Sequence, residues 1–476
     1  MTIEKPLVLD VDGTFLRTDM LYENFWAGLG AAPVKTLVAC VRHIRNPAML
    51  KAELARIAPI RTDLLPVNPE IAELALQCRL GGREVVLASA SDNTQVARLS
   101  ADYGLSEHVF ASDGVSNLKG GAKAQALVEA YGEGGFDYAG NSSVDMPIWE
   151  KAENALVVGH VPSARALAAD GRNVVEFPGG WELRALFKAM RPHQWVKNVL
   201  LLLPLLASHR FEMATLVPIL WGMAAFSLAA SAIYICNDLL DLEADRLHPT
   251  KCRRPFASGE VPISVGMVAM AALSAGALLI AIGLSAGFLL VTLLYMALSL
   301  AYSLKLKRMR WVDVTMLAAL YTIRVVAGAS AAAVEVSIYM LIFIFPIFLT
   351  LGCVKRITEL SKANGDERLP GRGYGRGELA DLRNVAGIGI VGALVIFLLY
   401  SVSDQGLSLY PTTWLLWLAM VPMAVWMVRM VNLAWHGRQD YDPIVFALRD
   451  PLGLGLLMLI LSLMFWAAGL WQQWFG

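Results

Sequence analysis

Charge of one prevailing sign is missing from this chain. Its 476 residues carry 40 Lys+Arg against 40 Asp+Glu, with no long run of either sign, which argues against a nucleic-acid surface. Cysteine is scarce too: Cys40, Cys78, Cys236, Cys252 and Cys353 are odd in number and show no CxxC spacing. That argues against a disulfide framework and a zinc site. No secretory leader is recognisable, since Met1–Pro6 runs into only a short apolar stretch, Leu7–Val11, interrupted by Asp10. The first domain is therefore expected to stay in the cytosol. Uncharged apolar stretches of about 20 residues are lacking up to residue 198 and recur beyond it, which excludes a purely soluble chain.

The neutrality is an average over two unlike parts. Up to Leu183 there are 16 basic and 23 acidic residues, and from Arg184 onward 24 and 17, giving −7 and +7. Two domains are expected. Residues 1–182 alternate short β-branched runs (Leu7–Val11, Val85–Ala88, Ala155–Val158) with helical patterns, as a parallel α/β sheet requires. Residues 15–80 lack such a run and read as a helical insertion. The domain closes at the Phe177–Gly180 turn cluster, an amphipathic stretch, Trp181–Met190, reads as an interfacial helix, and 183–198 is taken as the interfacial or linker segment before the membrane domain. Residues 199–476 then read as an all-α polytopic membrane domain.

About nine hydrophobic segments follow by window hydropathy, near 196–209, 214–236, 262–281, 286–304, 312–331, 337–354, 385–402, 413–432 and 452–474. Of the 24 Lys/Arg in this half, 22 precede the first segment or lie in even-numbered connections, Arg210 lies on the opposite side and Arg324 within a span. Positive charge marks the cytosolic side, so the expectation is a multi-pass protein of the inner membrane with its N-terminal domain inside and its C-terminus outside. Trp471 and Trp474 read as interface anchors.

In the soluble part, Val8-Leu-Asp-Val-Asp-Gly-Thr14 sets Asp10 and Asp12 at the end of the first strand. The C-terminal edge of a parallel sheet is where such domains bind ligands. Two carboxylates there can hold a divalent cation, one attacking phosphorus and the other exchanging a proton with the leaving group. The stretch resembles the first motif of the haloacid dehalogenase-like (HAD) phosphatases, and the resemblance covers most of residues 5–175. It implies that Ser89 contacts phosphoryl oxygens, that Lys123 in Lys119-Gly-Gly-Ala-Lys123 stabilises an aspartyl-phosphate, and that Gly140-Asn-Ser-Ser-Val-Asp145 closes a magnesium site with Asn141 and Asp145. The family usually has Asp where Asn141 stands, so one negative charge is lost, and a retained fold without activity is the alternative. The insertion resembles a small cap that excludes water and selects substrate.

The second hydrophobic segment ends in Asn237-Asp-Leu-Leu-Asp-Leu-Glu-Ala-Asp245. Asp238, Asp241 and Asp245 fall at i, i+3 and i+7, one face of a continuing helix. Three such carboxylates repel one another unless a cation lies between them, and magnesium bridged to phosphate is the usual resolution. Arg246, His248, Lys251, Arg253 and Arg254 follow at once and could hold the remaining phosphate charge. A solvated helix end is the bland alternative, although these residues follow an unbroken apolar span.

The NDLLDLEAD pattern resembles the UbiA superfamily of intramembrane transferases over about residues 185–476. Most members ionise a prenyl diphosphate and usually carry a second aspartate-rich motif; here Tyr302–Asp313 holds only Asp313. Arg191-Pro-His-Gln-Trp-Val-Lys-Asn198, His248–Gly259 and Lys355-Arg-Ile-Thr-Glu359 resemble the decaprenyl-phosphate phosphoribosyltransferase branch. That resemblance implies transfer of 5-phosphoribose from phosphoribosyl diphosphate to a polyprenyl phosphate, with one or more Mg2+ on Asp238, Asp241 and Asp245 and another Mg2+ in the phosphatase domain. Arg191, Lys197, Asn198, Asn237, Arg246, Lys251, Arg254, Lys305, Asp313, Arg324, Lys355, Arg356 and Glu359 are the expected substrate-binding residues. Arg324 either faces the cavity or pairs with a carbonyl or Asp313, and Glu359 either serves the ribose or pairs with Arg356 or Lys355. The Gly- and Arg-rich loop Asn364–Arg376 reads as a lid or a connector.

Three functions compete. In the first, the membrane domain makes a phosphoribosylated lipid and the phosphatase domain removes its 5-phosphate. In the second, an aromatic prenyltransferase carries a regulatory phosphatase-like domain. In the third, the chain is a transporter, against which count charges crowded at cytosolic ends and the lack of a repeat. Partners are then lipid, phosphoribosyl diphosphate and the bilayer, with homo-oligomerisation left open.

Overall fold

A computed structural model describes residues 5–169, 172–335, 337–362, 373–439 and 442–475. Residues 364–372 of the loop read above as a lid lie outside the described residues. The chain divides into two compact units, Met1–Arg191 with Tyr234–Ala271, and Pro192–Ile233 with Ala272–Gly476. The acidic end of the second apolar segment thus belongs to the same unit as the α/β domain.

That domain is built on a six-stranded parallel sheet in the order β3-β2-β1-β4-β5-β6, with β1 Leu7–Asp10, β2 Val85–Asp92, β3 Val109–Ser112, β4 Asp137–Gly140, β5 Asn154–Val158 and β6 Asn173–Phe177. Central strands of such sheets are covered on both faces. Accordingly Leu7 and Leu9 pack with Val96, Leu99 and Ile71 on one side, while Val8 packs with Leu127, Phe136 and Trp149 on the other. The expected runs became β1, β2 and β5; β3 and β4 are only four residues long, too short to stand out by alternation.

The insertion is helical as expected: α1 Met20–Ala31, α2 Pro33–His43 and α3 Pro47–Ile57, followed by α4 Pro69–Leu80, which leads into β2. Their starts are written locally. Asp19 caps α1, accepting from the Leu21 amide at 2.8 Å, and Asn46 and Asn68 cap α3 and α4 just ahead of a proline. Proline suits a helix's first turn, where its missing N–H costs nothing.

Among the described residues seven helices are long and apolar enough to cross a membrane: Met213–Leu240, Ile263–Leu284, Ala286–Leu304, Arg310–Ala332, Ile338–Lys362, Arg376–Ser401 and Thr413–Trp435. The pair Pro443–Arg449 and Pro451–Ala467, bent by 86°, makes eight if taken as one span. The count differs from nine at the first segment, where a 3-10 helix, Pro192–Leu202, runs into a short α-helix, Leu203–Ser208. Prolines 192 and 204 cannot donate to a helical ladder, which favours short, broken elements. The expected last segment likewise divides, into Pro451–Ala467 and Leu470–Phe475.

Candidate active sites

Asp10 ends β1 at the centre of the sheet, and Lys123, early in the helix Gly121–Tyr131, reaches it at 2.7 Å. The same ammonium donates to the Ala88 carbonyl at 3.2 Å and to the Tyr138 hydroxyl at 3.1 Å. Tyr138 in turn donates to Asp145 at 3.1 Å. Asp12 accepts from the Ser89 and Ser91 hydroxyls at 3.1 and 2.8 Å and from the Met20 amide at 2.8 Å. Asp145 accepts from the Asn141 and Ser142 amides, each at 3.1 Å. Gly13 turns the chain at φ +82°, and a Cβ there would lie 2.1 Å from the Asn141 amide nitrogen, so Asn141 lies directly against the carboxylate loop. All six motif residues are therefore in one cluster. Tyr138, Ser91, Asp19 and Lys51 are additional members, and no motif in the sequence singles them out.

Burial pushes Asp10 up to about 7, against the pull of Lys123 and with the nearby carboxylates of Asp145 and Asp12 adding to the rise. Asp19 is likewise pushed up to about 7, by burial and by Asp12. Lys51, which donates to the Ala90 carbonyl at 2.7 Å, is held below its usual value by burial despite Asp12 and Asp19. Carboxylates that are buried together hold protons they would otherwise lose, and a cation would relieve this.

At the acidic end of Met213–Leu240 the helix does not continue evenly. It stops at Leu240, Asp241 has left helical geometry, and Leu242–Leu247 resumes as a short helix. Asp238 and Asp245 are both buried and are bridged by one guanidinium, Arg254, at 3.1 and 2.6 Å. Arg191 also pairs with Asp238 and lies 5.2 Å from the Tyr234 ring centre. Its φ of +54° is uncommon for a bulky side chain. Burial raises the Asp245 carboxyl, with Arg254 opposing.

Other predicted members are placed differently. Arg246 pairs with Glu23 and the Ala257 carbonyl instead of joining the acidic cluster. The His248 ring accepts from the Thr250 amide and so closes its own turn. Lys251 and Arg253 are exposed.

The second unit holds a separate set of charges. Arg356 and Asp313, both fully buried, pair with each other, and Tyr302 joins them at 2.7 Å from Arg356 and 2.9 Å from Asp313. Glu359 takes another Arg356 nitrogen. Arg324 donates to Asn198 at 3.2 Å, to the Tyr295 hydroxyl at 3.1 Å and to the Leu320 carbonyl, not to Asp313. Lys197 pairs with Asp442. Lys355 lies in the field of Lys197, Asp442, Arg356 and Glu359, and its ammonium has no hydrogen-bonded partner among the described residues. Lys305 is exposed at its helix end.

Among the described residues no three His, Cys, Asp or Glu side chains converge as a ready-made metal cage. Magnesium asks for less, commonly one or two carboxylates with water and substrate phosphate completing its shell. Two observations fit such an ion. The side-chain oxygen of Asn237, beside Asp238, is buried without a hydrogen-bond partner, and an unmet buried acceptor is costly unless a cation or donor reaches it. In the α/β domain the burial that raises Asp10, with the nearby Asp145 and Asp12 carboxylates adding to it, makes the same demand.

Residues 199–450 match the UbiA prenyltransferase family. An uncharacterized protein of Sinorhizobium fredii, y4nM, is 34% identical over 455 residues, covering 94% of this chain and 87% of its own length. Decaprenyl-phosphate phosphoribosyltransferase of Mycobacterium tuberculosis is 38% identical over 198 residues, 40% of this chain and 65% of that protein. A solved UbiA homolog from Archaeoglobus fulgidus bound to GPP and Mg2+ aligns with 59% of this chain and 99% of its own, at 17% identity and a TM-score of 0.44.

Proposed function

Since this chain belongs to the UbiA prenyltransferase family, we propose that it is a two-step membrane enzyme of that family's phosphoribosyl-transferring kind. The first step joins 5-phosphoribose from phosphoribosyl diphosphate to a polyprenyl phosphate, and the second removes the 5-phosphate. The similarity to a decaprenyl-phosphate phosphoribosyltransferase supports the first step. One observation carries the combined reading: the acidic cluster and the Asp10 cluster share a compact unit, and a transfer whose product keeps a phosphate monoester gives a phosphatase something to do.

In the first step the bond from ribose C1 to the diphosphate breaks and an acceptor phosphate oxygen bonds to C1. The acceptor is already an anion, so no general base is required. Asp238, Asp241, Asp245 and the Asn237 oxygen would hold Mg2+, which supplies charge neutralisation for the leaving diphosphate. Arg191 and Arg254, now held by the carboxylates, would turn to phosphate oxygens, for which guanidinium is well matched. Lys355 and Lys197 would take a phosphate of the donor or acceptor.

In the second step an Asp10 oxygen attacks the 5-phosphorus and the ribose oxygen leaves with a proton from Asp12. Water then cleaves the aspartyl-phosphate, its proton returning to Asp12. Asp10, Asn141 and Asp145 would hold Mg2+ there. Lys123 fixes the nucleophile's free rotation and balances the phosphoryl charge, while Ser89 would release Asp12 to bind a phosphoryl oxygen.

The aromatic-acceptor alternative is weakened because Asp313, the lone carboxylate of the second motif's stretch, is committed to Arg356 and Tyr302. The charge bias supports a reading in which both steps take place on the cytosolic face of the inner membrane. The test is incubation of purified protein with phosphoribosyl diphosphate, polyprenyl phosphate and magnesium, followed by mass analysis of the lipid. Absence of any ribosylated lipid would sink the reading.

A further inference from the structure

The cap helix α2 is inside out. It buries Thr36 and Ala39, at 0% and 5% exposure, while Val34, Leu37, Val38, Val41 and Ile44 are 52–78% exposed. Those five recur at three- and four-residue spacing and so form one stripe along the helix. A soluble domain normally does the reverse, because each large apolar side chain left in water forgoes about 1.5–3 kcal/mol of burial. A contiguous apolar patch of this kind marks a surface meant to be covered.

The charges beside the stripe are of one sign. Between Glu23 and Glu53 the chain has no carboxylate, yet it carries Lys35, Arg42, Arg45 and Lys51, in a domain whose net charge is −7. Lys35, Arg42 and Arg45 are exposed. A groove of about 370 Å³ between α2 and α3 is lined by Lys35, Arg42, His43 and Arg56, with Glu53 already paired to Arg56. An apolar stripe flanked by cations, with a basic groove at its side, complements an anionic lipid surface.

The start of the stripe also lies close to the end of a helix long and apolar enough to cross a membrane. A Cβ built on Gly30, three residues before α2, lies 3.8 Å from the Leu240 carbonyl oxygen. Leu240 is the last residue of the apolar helix Met213–Leu240, and both residues belong to the same compact unit. The polypeptide thus enters α2 beside the point where a span ends.

We propose that the exposed face of α2 is a membrane-contact surface, seating Val34, Leu37, Val38, Val41 and Ile44 among the acyl chains and Lys35, Arg42 and Arg45 among anionic headgroups. The cap is thereby held against the leaflet. The inference is independent of which reaction either active site performs.

The full chain in nanodiscs containing a phospholipid with a diazirine on its acyl chain gives the test, with light-induced adducts mapped by mass spectrometry. Adducts are expected on residues 34–44 as well as on the spans. Replacing anionic phosphatidylglycerol by phosphatidylcholine, or substituting Lys35→Glu, Arg42→Glu and Arg45→Glu together, should lower the yield on residues 34–44 by about fivefold or more. Adduct yield on Ala286–Leu304 should stay constant, which reports that each variant is folded and inserted. Adducts confined to the spans would overturn the proposal, as would α2-to-α2 crosslinks between two copies in place of lipid adducts. Yields on 34–44 that ignore both lipid charge and the triple substitution would overturn its electrostatic part.

Discussion

Arg246 holds the carboxylate of Glu23 with two hydrogen bonds, at 2.6 and 3.1 Å, and the two side chains are 8% and 3% exposed. Glu23 also accepts from Thr18 at 2.7 Å, and Arg246 donates to the Ala257 carbonyl at 3.1 Å. The pair ties the first helix of the cap to the segment that carries Asp245. Less than one helical turn before Glu23, the Met20 amide holds Asp12. Gly259 repeats the connection: at φ +72°, a Cβ there would lie 2.7 Å from that of Arg17. A short, rigid path therefore links the acidic cluster with the Asp10 cluster inside one unit.

Breaking that pair from one side should be severe. Glu23→Gln or Arg246→Ala leaves a buried charge without its partner, which typically costs about 3–5 kcal/mol. Each should lower the thermal unfolding midpoint by several degrees, and replacing both residues by methionine should restore part of the loss. If the single substitutions are additive in the double variant, the pair does not hold the segments together.

The two clusters should separate by product. Asp238→Asn should abolish ribosylated lipid altogether. Asp10→Asn should leave the transfer intact and let the phosphorylated intermediate accumulate, heavier than the final lipid by one phosphate. Mass analysis reads both outcomes directly. An unchanged product from Asp10→Asn would remove the α/β domain from the pathway.

Magnesium and protons should compete at Asp10. Its pKa in the metal-free fold is raised to about 7, above the unfolded carboxylate value, so the folded chain holds this proton more tightly than the unfolded one. The metal-free fold therefore gives up stability as pH climbs from the carboxylate range to about 7. Magnesium needs the ionised form, so its apparent affinity should fall by up to about tenfold for each pH unit below 7. Thermal shifts by Mg2+ between pH 6 and pH 8, on roughly the scale of one unit either side of that value, should grow with pH in the wild type. The pH-dependent part should shrink in Asp10→Asn to what the Asp238 and Asp245 cluster contributes; a wild-type shift that is flat with pH would contradict the role given to burial.

Much of this was readable in the residues themselves. The DxDGT string, Ser89, Lys123 and Asp145 are separated by up to 135 positions, yet a parallel sheet must bring strand ends to one edge, and the structure does so. What could not be read are contacts that depend on how separate helices approach. Arg246 follows three aspartates and looks like a phosphate ligand, but its partner is 223 positions away. Asp442 follows Asp440 by two positions in a stretch without a recognisable motif, and nothing nearby marks it as the counter-ion of Lys197. The aspartates at i, i+3 and i+7 suggested one continuous helix face, whereas the chain breaks at Asp241 and a guanidinium joins Asp238 to Asp245. Periodicity reports which residues share a face only while the helix lasts.

Lys355 and Lys197 should respond differently to the same change. Lys197 neutralises Asp442, and both side chains are nearly buried, so Lys197→Met leaves a carboxylate uncompensated and should destabilise the protein by about 3–5 kcal/mol. Lys355 has no hydrogen-bonded partner among the described residues and sits in the field of a second lysine. An ammonium in that position is relieved when an anion arrives. Lys355→Met should therefore leave the unfolding midpoint unchanged or higher, while raising KM for a phosphorylated substrate about tenfold or more, the effect of about 1.4 kcal/mol of lost binding. Titrating phosphoribosyl diphosphate and polyprenyl phosphate separately would show which of the two it binds, and a Lys355→Met variant with both KM values unchanged would exclude it from the substrate site.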